Sequence, residues 1–232
     1  MRDQPTSNRD SGLTAIPRIG SGDWLGVTVK FKTIVADPPW KYGVWGGNSN
    51  RTEKCKSFND GTQGKPLPYP TMSLDEIKAL PVAEMADDDC ELYLWTTQKY
   101  LPESFGVIEA WGFKYCGVLT WCKTPRGTGQ GGLYCPTTEF LVHARRGKMP
   151  QGKTRQDSTW WNVKRPHNAH SAKPENFTDM IEAMSDAPRL EMFARRQRLG
   201  WATWGNEAIN HVELVTPNAA AEARRTGDAD CK

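Results

Sequence analysis

Short apolar runs alternate with amphipathic stretches from residue 33 to residue 207, and that alternation predicts an α/β sheet. "TIVA" at 33–36 reads as a buried strand. "TMSLDEIKAL" opens a helix, because Ser73 followed three residues later by Glu76 makes a capping box, and Pro81 ends it. "ELYLWTT" (91–97) is a second strand, 100–112 a helix, and "KYCGVLTWCK" (114–123) a third strand. "TEFLVHARRG" (138–147) alternates in the manner of a strand. "KPENFTDMIEAMS" (173–185) is a helix whose proline suits a first turn, and "RLEMFA" (189–194) and "WATWGNE" (201–207) are short final strands. Residues 43–68 and 124–137 fit neither period. Both are glycine-rich and polar, and loops of that length in a compact domain are usually lids or binding loops.

The 232 residues have the length of one domain. Residues 1–22 read as a flexible leader and 213–232 as a flexible tail, with the folded domain at 23–212. No run of about 18 apolar residues occurs, and "MRDQPTSNRD" lacks an apolar signal core. The expectation is a cytoplasmic protein with no membrane partner. Six cysteines stand at positions 55, 90, 116, 122, 135 and 231, none at the spacing of a zinc clamp; they read as reduced thiols, with no metal. The net charge of +3 decides little, but its distribution matters. Between Arg145 and Lys173 there are eight Lys/Arg residues against a single acid, Asp157. Trp160, Trp161 and His167 are interleaved with them. Cations that track phosphates beside rings that stack bases predict a nucleic-acid surface, so Arg145, Arg146, Trp160, Trp161, Lys164, Arg165 and His167 are candidate contacts.

The sharpest local signal is "TIVADPPWKYG" (33–43), a strand that ends on an acid, two prolines and a tryptophan. Ligands of an open parallel sheet bind beyond the carboxyl ends of its strands, so Asp37 would point into a crevice. Pro38 and Pro39 fix the turn and carry no N–H, which would leave the Pro38 carbonyl as a second acceptor beside the carboxylate. Trp40 would add a flat face. Two acceptors and an aromatic plate suit a planar ring with an amino group, adenine or cytosine, and make Asp37, Pro38, Pro39 and Trp40 the catalytic candidates. Further along, alternation through "RLEMFA" places Glu191, Phe193 and Arg195 on one face. An acid and a base there either pair with each other or hold a polar ligand. "GTGQGG" (127–132) satisfies the dinucleotide glycine pattern, but no helix follows it, so it reads as a flexible acceptor loop.

Several segments in order resemble the messenger-RNA-adenosine methyltransferase-like family, whose members modify the 6-amino group of adenine in nucleic acid. They are Asp37-Pro38-Pro39-Trp40, "YPTMSLDEI" (69–77), "LYLWTT" (92–97), "TEFLVHARRG" (138–147), "HSAKP" (170–174), "LEMFAR" (190–195) and "GWATWGNE" (200–207). The resemblance implies a Rossmann-like methyltransferase fold with a mostly parallel sheet flanked by helices. Its motif order is the permuted one, with the acceptor strand early and the cofactor strand late. It implies S-adenosylmethionine as cofactor and an N6-adenine methyltransferase acting on nucleic acid, DNA ahead of RNA, similar to the short bacterial or bacteriophage members. Lys173 would then meet the cofactor's carboxylate, Glu191 and Phe193 would lie on the cofactor strand, and Arg195 would reach the ribose. Asn206 and Glu207 would bond the ribose or adenine. Several members carry Pro-His-Asn after that arginine where this chain has Arg196, Gln197 and Arg198, so Gln197 would replace a histidine donor. Tyr42, Tyr69 and Thr71 would lie on the substrate side. A catalytically silent nucleic-acid-binding partner and a cytosine-N4 methyltransferase stay open beside this reading, as do a monomer, a homodimer or a required partner subunit.

Overall fold

The computed structural model of the chain describes residues 29–41, 70–124, 134, 136–150, 155–166 and 171–212. Seven strands lie in one sheet: β1 (Phe31–Ala36), β2 (Ala86–Thr96), β3 (Lys114–Thr124), β4 (Thr138–Arg146), β5 (Trp160–Lys164), β6 (Arg189–Met192) and β7 (Trp201–Trp204). Their order across the sheet is β5-β3-β4-β2-β1-β6-β7. Helices α1 (Leu74–Lys78), α2 (Val82–Met85), α3 (Leu101–Ala110) and α4 (Glu175–Met184) accompany it. β4 runs antiparallel to β2 and β3, and the other four neighbouring pairs are parallel. Among the described residues no helix is long and apolar enough to cross a membrane.

Each face of the sheet carries its own core. Ile34, Ala36, Leu92, Leu94, Val142 and Leu190 pack on one side with Ile77 of α1, Val82 of α2 and Val107 and Ile108 of α3. Val35, Tyr93, Trp95 and Leu141 pack on the other with Phe177 and Ile181 of α4. The strands are therefore apolar on both faces, as expected of a sheet sandwiched between helices. From β1 the chain reaches β2 by way of α1 and α2 on one face, whereas α4 leads into β6 across the other. The carboxyl end of β1 stands between these two crossovers, at the switch point where open α/β sheets bind ligands.

The predicted elements are present with modest shifts. The capping box at α1 is formed on both sides, Glu76 N–H donating to Ser73 Oγ at 3.3 Å and Ser73 N–H to Glu76 Oε2 at 2.7 Å. Pro81 ends that helix and caps α2, which the sequence pattern did not separate. Pro174 stands one place outside the first turn of α4, as its N-cap. β6 stops at Met192, because Phe193 takes a left-handed φ of 61° that no strand continues. β5 was not predicted. Its five residues sit inside a hydrophilic stretch, and only pairing with β3 makes them a strand.

Candidate active site

Asp37 follows β1 directly and opens onto a crevice. One wall is Asp37, Pro38 and Pro39 with Pro70 and Met72; the other is Ser171, Phe193–Arg195 and Trp204–Glu207. Ser171 (φ 59°) and Phe193 (φ 61°) are, among the described residues, the two non-glycine residues in the left-handed region, and both line this crevice. That conformation costs about 1–2 kcal/mol per residue, and residues held in it cluster at functional sites. Gly205 is required by a close approach: a Cβ there would sit 2.3 Å from the Ala194 carbonyl oxygen. It lets the β7 end press against the turn after β6.

The turn itself corrects part of the expectation. Trp40 is 5% exposed, its ring stacks on Tyr100 at 5.1 Å, and its indole N–H donates to the Trp95 carbonyl at 3.2 Å. The ring belongs to the core and offers no face to the crevice. The two proline carbonyls are also engaged, Pro38 by the Trp40 N–H at 2.8 Å and Pro39 by the Met72 N–H at 3.0 Å. Buried backbone acceptors find donors, and here the chain's own amides supply them. Each carbonyl keeps a second lone pair, and Asp37 is the side-chain acceptor of this turn that lines the crevice.

Around Asp37 runs a chain of alternating charge drawn from four elements. Lys173 Nζ lies 2.9 Å from Asp37 Oδ2 and 3.2 Å from Glu139 Oε2, and Lys123 Nζ lies 2.5 Å from Glu139 Oε1. Lys173 also donates to the Ser171 carbonyl and stands over the Trp95 ring at 5.4 Å. Side-chain exposure along the chain is low, 26% for Asp37, 16% for Lys173 and 11% for Glu139. Burial lifts the Asp37 carboxyl above its ordinary value; the Lys173 charge opposes this without cancelling it, and Glu139 adds to the rise. Burial pulls Lys173 down, but Asp37 and Glu139 together hold its ammonium above the usual lysine range. Glu139, despite its burial, is held below the ordinary carboxyl range by Lys173 and Lys123. Glu191, on β6 between Val35 and Thr203, is pushed up to about 7, chiefly by burial and then by the Asp37 charge, with Arg198 opposing.

Glu139 and Lys123 were not singled out in the sequence. A signal existed: in "TEFLV" the acid is in phase with Leu141, an inward position of β4, where an acid needs a partner.

Of the other candidates, Phe193, Arg195, Asn206 and Glu207 line the crevice, with Arg195 Nε 4.0 Å from Glu207 Oε1. Thr71 sits between the lining residues Pro70 and Met72. The one-face argument for Glu191, Phe193 and Arg195 does not hold, because the chain turns at Phe193. Gln197 is exposed and outside the crevice lining. Its neighbour Arg198 points at α4, bonding Glu175, Asp179 and Glu182 at 2.6, 2.6 and 2.7 Å. Arg145 and Arg146 are corrected too. They stand in register with Glu91 and Cys90 near the middle of β2, four and five residues or roughly 13–17 Å along the strands from the level of Asp37. The Arg146 guanidinium is spent on the carbonyls of Asp87, Ala83 and Ala86. Trp161 packs edge-on against Phe177 at 5.6 Å, while Trp160, Lys164 and Arg165 are exposed. Tyr42, Tyr69 and His167 lie outside the described residues, as does "GTGQGG".

The MT-A70 family model matches residues 31–207, from the first strand through the far wall of the crevice. This chain belongs to the MT-A70 family. It is thus a methyltransferase by family. Among curated relatives, the MT-A70 chain is 34% identical over 197 residues to a protein named Type II methyltransferase M.MunI from Mycoplasma sp, covering 81% of this chain and 82% of that protein. It is 27% identical over 220 residues to an N(6)-adenosine-methyltransferase MT-A70-like protein of Drosophila melanogaster, covering 90% of this chain and 32% of that one. With the N(6)-adenosine-methyltransferase catalytic subunit METTL3 of Homo sapiens the identity is 25% over 205 residues, covering 84% and 31%. The chain spans about a third of the length of these two animal relatives.

Proposed function

We propose that this MT-A70 protein transfers a methyl group from S-adenosylmethionine to the 6-amino nitrogen of adenine in DNA. The observation that carries the reading is Asp37, an acid on a crevice rim held at 2.9 Å by Lys173. The choice of DNA rests on the relative named a Type II methyltransferase, which aligns over most of its length, whereas the adenosine-methyltransferases align over about a third of theirs.

The lining of the crevice suits the cofactor in its donor set. Phe193, Met72, Pro38 and Pro39 provide apolar surface, Arg195, Asn206 and Glu207 provide hydrogen-bonding groups for hydroxyls or charge, and Gly205 keeps the far wall clear of a Cβ. These residues would hold it. When bound, S-adenosylmethionine supplies a methyl group made electrophilic by its sulfonium.

The protein's own part is electrostatic. The Asp37 carboxylate would accept a hydrogen bond from the adenine amino group and turn the nitrogen toward the crevice. As that nitrogen bonds the methyl carbon and the carbon–sulfur bond breaks to a neutral thioether, it gains positive charge that the nearby carboxylate stabilises until one amino proton is lost to solvent. Lys173, fixed between Asp37 and Glu139, keeps Asp37 aimed and favours its ionised form; its two carboxylate partners favour this role over that of a ligand for the cofactor's carboxylate. Orientation does the rest, since a sulfonium needs no strong nucleophile opposite it.

The test is a transfer assay with labelled S-adenosylmethionine on separate DNA and RNA pools, followed by digestion to nucleosides. Label should appear as N6-methyladenine in DNA. Asp37→Ala should lower turnover by about 100-fold or more, the order seen when one transition-state contact is removed, with cofactor binding retained. Undiminished turnover in that variant removes Asp37 from the mechanism, and label in cytosine or in RNA alone changes the substrate.

A further inference from the structure

β5 forms one margin of the sheet and, among the described residues, pairs with β3 alone. Its alternation divides two tryptophans that the sequence leaves equivalent. Trp161 and Val163 join the core on the α4 side, while Trp160, Asn162 and Lys164 are exposed. Trp160 is 61% exposed, unusual for a residue that is highly buried on average.

The backbone at Trp160 is closed to a further strand. Thr120 N–H donates to the Thr159 carbonyl, so residue 159 faces β3 and the polar groups of Trp160 face outward. Ser158 occupies both of them, its hydroxyl donating to the Trp160 carbonyl at 2.7 Å and accepting from the Trp160 N–H at 3.1 Å. An open edge is what another strand adds to, and here it is capped by the chain's own side chain. What remains on offer is the indole face. The exposed cations Arg155, Lys164 and Arg165 flank it in sequence against one exposed acid, Asp157. A ring beside cations is the chemistry that receives a nucleic-acid strand: bases stack on the one and phosphates meet the others.

The register sets the distance. Trp160 pairs with Thr120, Thr120 with Phe140 and Phe140 with Thr96. Ala36 pairs with Leu94, so Thr96 is level with Pro38. The backbones of Trp160 and the Asp37 turn stand at the same height, four strand spacings or roughly 19 Å apart, with the Trp160 ring on the sheet face opposite the α4 side where Lys173 meets Asp37. At about 3.4 Å per stacked nucleotide the shortest path over the carboxyl edge of the sheet is five or six nucleotides.

We propose that Trp160, with Lys164 and Arg165, is a stacking platform for the substrate strand about five or six nucleotides from the adenine held at Asp37. The inference rests on the reading of Asp37 as the base-holding group.

Binding of mixed-sequence single-stranded DNA by fluorescence anisotropy tests it, with one strand of about 24 nucleotides and one of about four, too short to bridge the gap. Trp160→Ala should weaken the long strand roughly tenfold and leave the short one unchanged, and Trp160→Phe should recover most of the loss. A long strand carrying 5-iodouracil should photocrosslink to Trp160. Unchanged binding of the long strand by Trp160→Ala overturns the proposal, as does a dimer that Trp160→Ala dissociates without change in DNA affinity. If the wild-type protein neither binds nor methylates nucleic acid, the underlying functional reading falls as well; the variant result alone overturns only the platform.

Discussion

Asp37, just past β1, and Glu191, on neighbouring β6, are two acids that burial disfavours as anions and that have different partners. Asp37 has the Lys173 ammonium at 2.9 Å, whereas Glu191 has burial and the Asp37 charge working against its ionisation and only Arg198 in its favour. The consequence for stability has a definite sign. Glu191 has an ordinary value of 4.5 and is pushed up to about 7, so between those values the folded protein holds a proton that the unfolded chain releases. Its contribution is complete below the lower value and is lost as pH rises through the upper one. The loss is at most roughly 3 kcal/mol. Glu191→Gln, which cannot ionise, should therefore melt higher than wild type at pH above about 7, with the gap closing toward pH of about 4.5. Denaturant melts across that range measure it, and a gap that stays constant with pH excludes the assignment.

One face of α4 works as a clasp. Glu175, Asp179 and Glu182 recur at helical spacing and each takes a different nitrogen of Arg198, while Glu182 also accepts from the Trp201 indole at 2.6 Å. α4 begins two residues after Lys173, and Arg198 stands three residues after Arg195. The clasp thus ties the Lys173 segment to the turn that forms the far wall of the crevice. Arg198→Ala should cost about 1–3 kcal/mol of stability, since hydrogen bonds to charged groups are involved, and should weaken S-adenosylmethionine binding several-fold. Arg198→Lys should recover little, because one ammonium cannot reproduce a three-pronged planar donor. Melts together with calorimetric titration separate the effects: lowered stability with unchanged cofactor affinity reduces the clasp to a strut.

Across the whole sheet, the basic stretch that is continuous in sequence is divided between two ends. Arg145 and Arg146 lie toward the amino end of the parallel strands, and Trp160, Lys164 and Arg165 lie on or beyond β5, which starts level with the Asp37 turn and runs past it. Arg146→Ala should destabilise the fold by about 1–3 kcal/mol, because three carbonyls lose their donor, and should leave the salt dependence of DNA binding unchanged. Lys164→Ala and Arg165→Ala should each lower that dependence by about one unit of log–log slope. Binding isotherms at several salt concentrations decide it; equal slopes in all variants would place the phosphate contacts elsewhere.

Much of this architecture is legible in the chain. The period of apolar residues places every strand except β5, the Ser73–Glu76 pair starts α1, and an acid at the end of a buried strand marks the crevice. Such signals are local: a few neighbouring side chains determine which way a segment faces and where it stops. Folding in three dimensions settled the remainder, for a physical reason. Lys173 meets Asp37 across 136 positions of sequence, and Glu139 joins them from β4. No local period reports which distant charge will satisfy a buried one, or that Trp40 will find the Trp95 carbonyl, Trp161 the ring of Phe177 and Trp160 an exposed place. Those outcomes depend on strand order and register, and strand order is a property of the assembled sheet.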